Sequence, residues 1–525
     1  PSNSSAASDV YKRQGAYAYG SGQILWSDGE NERVRKATGI PEVDLALRTI
    51  AGGGQVIIFC PTRRSAVAGA AKIARAVSST LVQFDREAAQ SLAESILKEE
   101  PQSRVIERLA EVVRLGAAFH HAGLSHGARV KIEEAFRKGI ILAIAATPTL
   151  AAGVNLPARA VIIRSYKRYD RTKGRSAPIS VMEFHQMAGR AGRPGFDEIG
   201  EAIVLTPSKK EAQELLVIYA ADNLEPITSK LDDPGKFRTH LLSLIVLKSP
   251  IKSSDLAEFV KKTLLYIQRG EHAVAGLIPS SLDFLIREGF VESTSGGRLA
   301  ATRFGVRTSQ LYIDPVSAVM MAKGLERMAS IREDSLEVSV LHLIGLLPDM
   351  YRAPVRARES ERVEEILEEL EPLLPPEELP IEIAVNWFSA VKMAAVLRAW
   401  LSEAPEGLIE ETYGVEPGDL RSFTEVATWL SYAFSEIARL FGRIREAKYL
   451  RQLSARMKVG VKQELLQLTA VPGVGRRRAR ALYEAGYHTI SDLASADPRR
   501  LQRIPGIGPK LAENIIREAR DLLER

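Results

Sequence analysis

Between Gly54 and Ser208 the chain repeats one pattern. The short apolar runs "GQVIIFCPT", which ends at a turn proline, "GAAFHHAGLS", "GIILAIAATPT", "RAVIIRSY" and "GEAIVLTP" are each a strand candidate. Segments with helical spacing, such as "RRSAVAGAAKIARAV" and "HGARVKIEEAFRKG", lie between some of them. Runs this short and this apolar fit strands buried on both faces, and strands alternating with helices fit a mostly parallel sheet. The expected fold is therefore multidomain and opens with an α/β domain. Beyond about Leu224 the strand signal fades to helices and one small hairpin, "GFVESTSGGRLAAT", which together suggest a winged helix. From Gly305 to Leu450 the pattern is nearly all helical. Its acidic run, "RESERVEEILEELEPLLPPEELPIE", is expected to be a solvated helix face and linker.

The bulk numbers narrow the class. An apolar fraction of 45% and a charged fraction of 26% suit a soluble globular protein. The most apolar stretch, Gly139 to Val154, is short of the roughly 20 residues a bilayer span requires and is interrupted by Pro148. No membrane partner is expected. Cys60 is the sole cysteine, which rules out a disulfide framework and suits a reducing compartment, the cytoplasm. The opening "PSNSSAASDVYKRQG" is polar and without apolar periodicity, so residues 1–21 are expected to be a disordered tail or a non-native junction.

Charge is concentrated at the far end. The last 70 residues hold 14 Lys and Arg against 8 Asp and Glu, a surplus equal to the net charge of the whole chain, +6. A basic terminal domain implies a polyanion partner. The same region repeats itself: "VPGVGRRRARALYEAG" from Val471 and "IPGIGPKLAENIIREA" from Ile504 match at Pro472/Pro505, Gly473/Gly506, Gly475/Gly508 and Ala479/Ala512. Each copy is a Pro-Gly-x-Gly turn opening a helix. Glycine admits close backbone approach and a helix start favours an anion. With Arg476, Arg477, Arg478 and Lys510 beside the turns, the repeat is similar to a tandem helix-hairpin-helix that grips DNA phosphates.

Two further segments carry the motor chemistry. "ATPTLAAGVNLPARAVIIR" (Ala146–Arg164) and "QMAGRAGRPG" (Gln186–Gly195) resemble motifs V and VI of superfamily 2 helicases, and "QVIIFCPTRRSA" and "FHHAGLS" resemble the segments that precede them. From about Gly22 to Arg525 the chain resembles the archaeal fork-associated DNA helicases of the Ski-two-like group, relatives of the polymerase theta helicase domain. "LYIDPVSA" and "EPGDLRSFTEVATWL" match their ratchet region.

The resemblance implies a second RecA-like domain at 22–223, a winged helix at 224–304, an all-α ratchet domain at 305–455 and the tandem helix-hairpin-helix at 456–525. It implies ATP and Mg²⁺ as cofactors, bound between two RecA-like domains. Arg190 and Arg193 would reach the phosphates, with Gln186 in the same cleft and Gly153 and Asn155 lining it. A planar guanidinium fork suits charge developing at a transferring phosphoryl group. No GxxxxGK[ST] loop and no DExH pair is found, so the first RecA-like domain is expected to be a missing partner, by truncation or on another chain. Ligands for both cofactors would lie largely there.

The resemblance also implies contacts to single-stranded and forked DNA. Thr149 would make one in motif V, and Tyr169 and Lys173 in a strand-splitting hairpin. Arg421 and Trp429 would serve in the ratchet, where Trp429 stacks on a base. Relatives commonly carry two basic residues after "GDL", and this chain has Arg421 and then Ser422. Gly473, Gly475, Arg476, Arg477, Gly506, Gly508 and Lys510 would hold phosphates. His120 and His121 lack ligand-spaced partners and are expected to be packing residues, with no metal site. The implied activity is 3′→5′ unwinding of forked DNA in replication-coupled repair, by a monomer. An RNA helicase and a catalytically silent DNA-binding protein stand as alternatives.

Overall fold

The computed structural model describes residues 10–80, 84–170, 175–220, 224–294 and 296–524. It divides into two compact units. One comprises the chain to Pro226 together with Glu416–Asp419, and the other comprises Ile227–Val415 and Leu420 onward.

The first unit is built on an eight-stranded sheet. Its strands are β1 (Tyr11–Ala18), β2 (Gln23–Trp26), β3 (Asn31–Arg33), β4 (Val56–Phe59), β5 (Ala117–His120), β6 (Ala143–Ala146), β7 (Ala160–Ile163) and β10 (Ile199–Thr206), in the order β3-β2-β1-β10-β7-β4-β6-β5. From β1 across to β5 neighbouring strands are parallel, and β2 and β3 add an antiparallel edge. Every residue of β4, β5, β6 and β7 is buried, as the unbroken apolar runs require. Strands β8 (Lys167–Asp170) and β9 (Arg175–Pro178) form a separate antiparallel hairpin between motifs V and VI.

One expectation is corrected here. Residues 11–18, taken from their polar start as part of a tail, form β1, paired along its whole length with β10. Its second half, Gly15 to Ala18, is fully buried. Gly15 faces Trp26 across the β1–β2 pair, and a Cβ there would lie 2.6 Å from the indole ring. The ring fills the space a side chain would take. Hydrophobicity alone did not reveal the strand because two of those residues are alanine and one is glycine.

In the second unit, β11 (Ile251–Lys252), β12 (Val291–Ser293) and β13 (Arg298–Ala301) form a three-stranded antiparallel sheet beside the helices Pro234–Lys248, Ser253–Lys261 and Leu277–Arg287. The expected two-stranded wing thus has a third strand. One continuous core runs from Phe237 to Met457, through both the winged helix and the ratchet helices. A separate core from Val461 to Ala519 belongs to the helix-hairpin-helix repeat. The acidic run is not only a solvated face. Its Glu359 is fully buried and takes the Nζ of equally buried Lys392 at 2.6 Å. Among the described residues no helix is long and apolar enough to cross a membrane.

The packing at Gly15 makes a prediction. Gly15→Ala forces a methyl against Trp26 and should lower the stability of the first unit by about 1–3 kcal/mol, the usual cost of overpacking a core. Urea unfolding followed by tryptophan fluorescence measures it, and an unchanged midpoint would remove the steric role assigned to this glycine.

Candidate ATP and DNA sites

Motif VI is held from both ends. Its helix, Val181–Ala188, starts at Ser180, whose hydroxyl accepts from the Glu183 N–H at 3.0 Å. The Glu225 carboxylate accepts from the Val181 and Met182 N–H groups at 2.5 and 3.1 Å, and these bonds hold its pKa below the usual carboxylate range. Phe184 stacks on Tyr219 at 4.4 Å, and the Tyr219 hydroxyl donates to the Ile179 carbonyl. Beyond the helix, Gly192 takes φ +88° and lies against Gly200 of β10 so closely that a Cβ on Gly200 would fall 2.6 Å from the Ala191 carbonyl carbon. Two hydrogen bonds then join the segment to the end of motif V: Ala158 N–H to Arg190 O at 2.9 Å and Gly192 N–H to Ala158 O at 2.6 Å.

That backbone sends the two arginines to different places. The Arg190 guanidinium donates to the Ala151 carbonyl, through Nε at 3.1 Å and also through Nη2, and to Asn155 Oδ1 at 3.4 Å. It therefore clasps the motif V loop, which runs through the short helix Thr149–Gly153. Thr149 and Asn155 are exposed there, and the Thr149 hydroxyl bonds that of Thr147 at 2.9 Å. No atom lies near the position a Gly153 Cβ would occupy, so the backbone is open on that side. Gln186 is exposed on the motif VI helix.

Arg193 is engaged elsewhere. It pairs in bidentate fashion with Asp197 at 2.7 and 2.8 Å and donates to Gln55 Oε1 at 2.9 Å. Gln55 in turn donates to the Phe136 and Ile141 carbonyls. The Asp197 side chain is 3% exposed. Burial works to raise its pKa, but the hydrogen bonds from the Arg193 side chain and backbone N–H outweigh it and hold the carboxylate below its usual range. A depressed carboxylate stabilises the fold above its ordinary pKa, about 3.9, and that contribution is lost as pH falls through the lower folded value. The i,i+4 spacing of Arg193 and Asp197 was a usable signal for this pair, and Gln55 had none.

The hairpin also touches motif VI, through Arg168 of β8 and Glu183 at 2.5 Å. Tyr169 lies in β8 opposite Ser176, and Lys173 falls outside the described residues. His120 Nε2 meets Glu133 Oε1 at 3.0 Å, whereas His121 stacks on Phe119 and accepts from the Gly123 N–H. Burial, reinforced by Arg63, lowers the His121 pKa to about 3, so the ring is neutral.

In the second unit Trp429 is half-buried on the helix Pro417–Leu440, and its indole N–H donates to the Leu311 carbonyl at 3.0 Å. Arg421 is exposed and pairs with Glu425 at 2.9 Å. In the repeat, Gly475 precedes the helix Arg476–Glu484 and Gly508 precedes Pro509–Glu524. Gly473 and Gly506 take φ +86° and +81°, and the space beside Gly475, Gly506 and Gly508 is open.

The three consecutive arginines separate. Arg476 lies over the Trp400 ring at 4.6 Å and donates to the Ala404 carbonyl. Arg478 donates to the Gly473 and Gly506 carbonyls at 2.9 and 3.0 Å, tying the two turns together. Arg477 is exposed, as is Lys510.

A parallel-sheet domain that presents motif VI arginines beside a motif V loop, joined to ratchet helices and a paired hairpin module, defines the C-terminal part of a superfamily 2 helicase. Comparison with known proteins finds matches in four stretches of the chain. Residues 41–195 match the helicase conserved C-terminal domain and 200–292 a helix-turn-helix domain. Residues 338–460 match archaeal helicase domain 4, and 465–521 the SAM-like helix-hairpin-helix tandem. The ATP-dependent DNA helicase Hel308 of Methanocella arvoryzae is 39% identical over 94% of this chain and 67% of its own length. Those of Pyrobaculum calidifontis and Pyrococcus horikoshii are 37% and 34% identical, over 97% and 94% of this chain and 70% and 67% of theirs. The chain belongs to the Hel308 family of ATP-dependent DNA helicases.

The two motif VI arginines should differ in stability. Arg193→Ala strands a buried carboxylate, and removing one partner of such a pair costs about 2–4 kcal/mol where one partner keeps some solvent. Arg190→Ala, whose bonds go to a carbonyl and an exposed amide, should cost less than about 1 kcal/mol. Equal destabilisation in urea unfolding would contradict the separation.

Proposed function

We propose that this chain supplies one face of the ATP cleft and most of the DNA path of a 3′→5′ helicase acting on forked DNA. The observation that supports the reading is the Arg190 clasp on Ala151 and Asn155, which joins motif VI to the motif V loop. A second RecA-like domain would bring the phosphate loop and the acid pair for Mg²⁺. ATP, when bound between the two, supplies a γ-phosphoryl group whose charge grows on transfer. Arg190 would turn its fork toward that charge, with Gln186 beside it and Gly153 and Asn155 along the rim. In doing so it would release Ala151, so the motif V loop with Thr149 would respond to the nucleotide state. Arg193 would hold motif VI in place through Asp197 and Gln55, and would reach phosphate only by leaving them.

For DNA, the hairpin bearing Tyr169 would split the duplex, with Lys173 as a further contact, and Trp429 would stack on a base of the moving strand, with Arg421 nearby. Stacking tolerates any sequence, as a motor requires. At the repeat, Arg477, Lys510 and the turns at Gly473, Gly475, Gly506 and Gly508 would face phosphates. Arg476, drawn to Trp400, would contribute chiefly by fixing the module. The paired hairpins favour DNA over RNA, and the chain would act as a monomer.

Two outcomes test this. In a protein carrying both RecA-like domains, Arg190→Ala should lower DNA-stimulated ATP turnover by roughly 10³–10⁵, as loss of an arginine finger does. Turnover within about threefold of the parent would remove Arg190 from the chemistry. For the repeat, Arg477→Glu with Lys510→Glu should weaken DNA binding about tenfold, evenly across sequences and most at low salt. Arg476→Glu should instead lower the melting temperature. Full affinity in the double variant would assign the repeat another role.

A further inference from the structure

The seam between two helices of the second unit holds a basic groove that no motif predicts. One wall is the helix Arg303–Leu311, which lines it with Arg303, Arg307 and Gln310 at i, i+4 and i+7. The other is the last turns of Pro417–Leu440, which line it with Glu436 and Arg439. Arg307 and Arg439 share the Glu436 carboxylate at 2.5 and 2.6 Å. Arg303 is exposed and makes no side-chain hydrogen bond or ion pair among the described residues. Three guanidinium groups thus line the groove with one carboxylate, leaving an excess of two positive charges in a concave site. Glu436 holds Arg307 and Arg439 in place without neutralising the groove.

The same two helices meet at Trp429, whose indole N–H donates to the Leu311 carbonyl. Glu436 follows Trp429 by seven residues, so it lies on the same helix face about 10 Å further along. That is a distance of one to two nucleotides of extended single strand.

We propose that Arg303, Arg307 and Arg439 form a sequence-independent site for a phosphodiester of single-stranded DNA, one to two nucleotides from the base at Trp429. The inference rests on the DNA path proposed above and adds a contact to it.

The test uses the full 525-residue chain and fluorescently labelled oligo-dT of 15 nucleotides, with binding measured by anisotropy from 50 to 300 mM salt. Arg303→Ala with Arg439→Ala changes two exposed side chains and leaves Arg307 on Glu436. Each lost phosphate contact should lower the slope of log K against log salt by about 0.7. The double variant should therefore lose about 1.4 from the slope and bind five- to tenfold more weakly at 100 mM salt. Arg303→Lys with Arg439→Lys should keep the parental slope, and Trp429→Ala should weaken binding with the slope unchanged. A double alanine variant that melts like the parent and keeps its affinity within twofold and its slope would overturn the site while leaving the wider DNA path standing. If the parent chain itself does not bind the oligonucleotide, the proposed path and this site both fall.

Discussion

The placement of both motif VI arginines depends on how closely motif VI lies against β10. Gly192 and Gly200 leave no room for a side chain between them, and that contact fixes the two backbone bonds to Ala158. The positions of Arg190 and Arg193 follow from it. A methyl on Gly200 would push the segment from the sheet and move both guanidinium groups, whereas one on Gly192 would meet the Val10 side chain at 2.5 Å. The requirement is steric and backbone-borne, so a motif with so little bulk can aim two long side chains accurately.

The consequence is a division of labour. Arg193 is locked into a bidentate, part-buried ion pair and a glutamine whose amide is tied to two carbonyls. Arg190 is held by weaker, partly solvated bonds to the loop that follows β6. Arg190 is therefore the easier of the two to displace, and Arg193 is the one that holds the segment. In the repeat, Arg478 and Arg476 fix the geometry, whereas Arg477 is exposed.

The parallel strands were legible because each is a short unbroken apolar run, and the helix-hairpin-helix pair because it repeats. β1 was not, because its buried half uses alanine and glycine and its first half is polar. The two motif VI arginines look alike in the sequence, since Gln55, which separates their roles, lies 138 residues from Arg193. The roles of Arg476, Arg477 and Arg478 follow partly from pitch. Successive helical residues point about 100° apart, so three in a row cannot share one face. What pitch could not give was Trp400, supplied by a distant helix. The hairpin between motifs V and VI was implied by the resemblance, and its link to motif VI through Arg168 and Glu183 was not.

The central claim is that the Arg190 clasp couples the nucleotide to the DNA-facing loop. The most direct measurement is ATP turnover with and without single-stranded DNA, in a protein carrying both RecA-like domains, for Asn155→Ala beside the parent. The substitution removes one end of the clasp and leaves Arg190 itself. The account predicts that turnover without DNA stays within about threefold of the parent while most of the stimulation by DNA is lost. Stimulation equal to the parent's, with Asn155 gone, would contradict it.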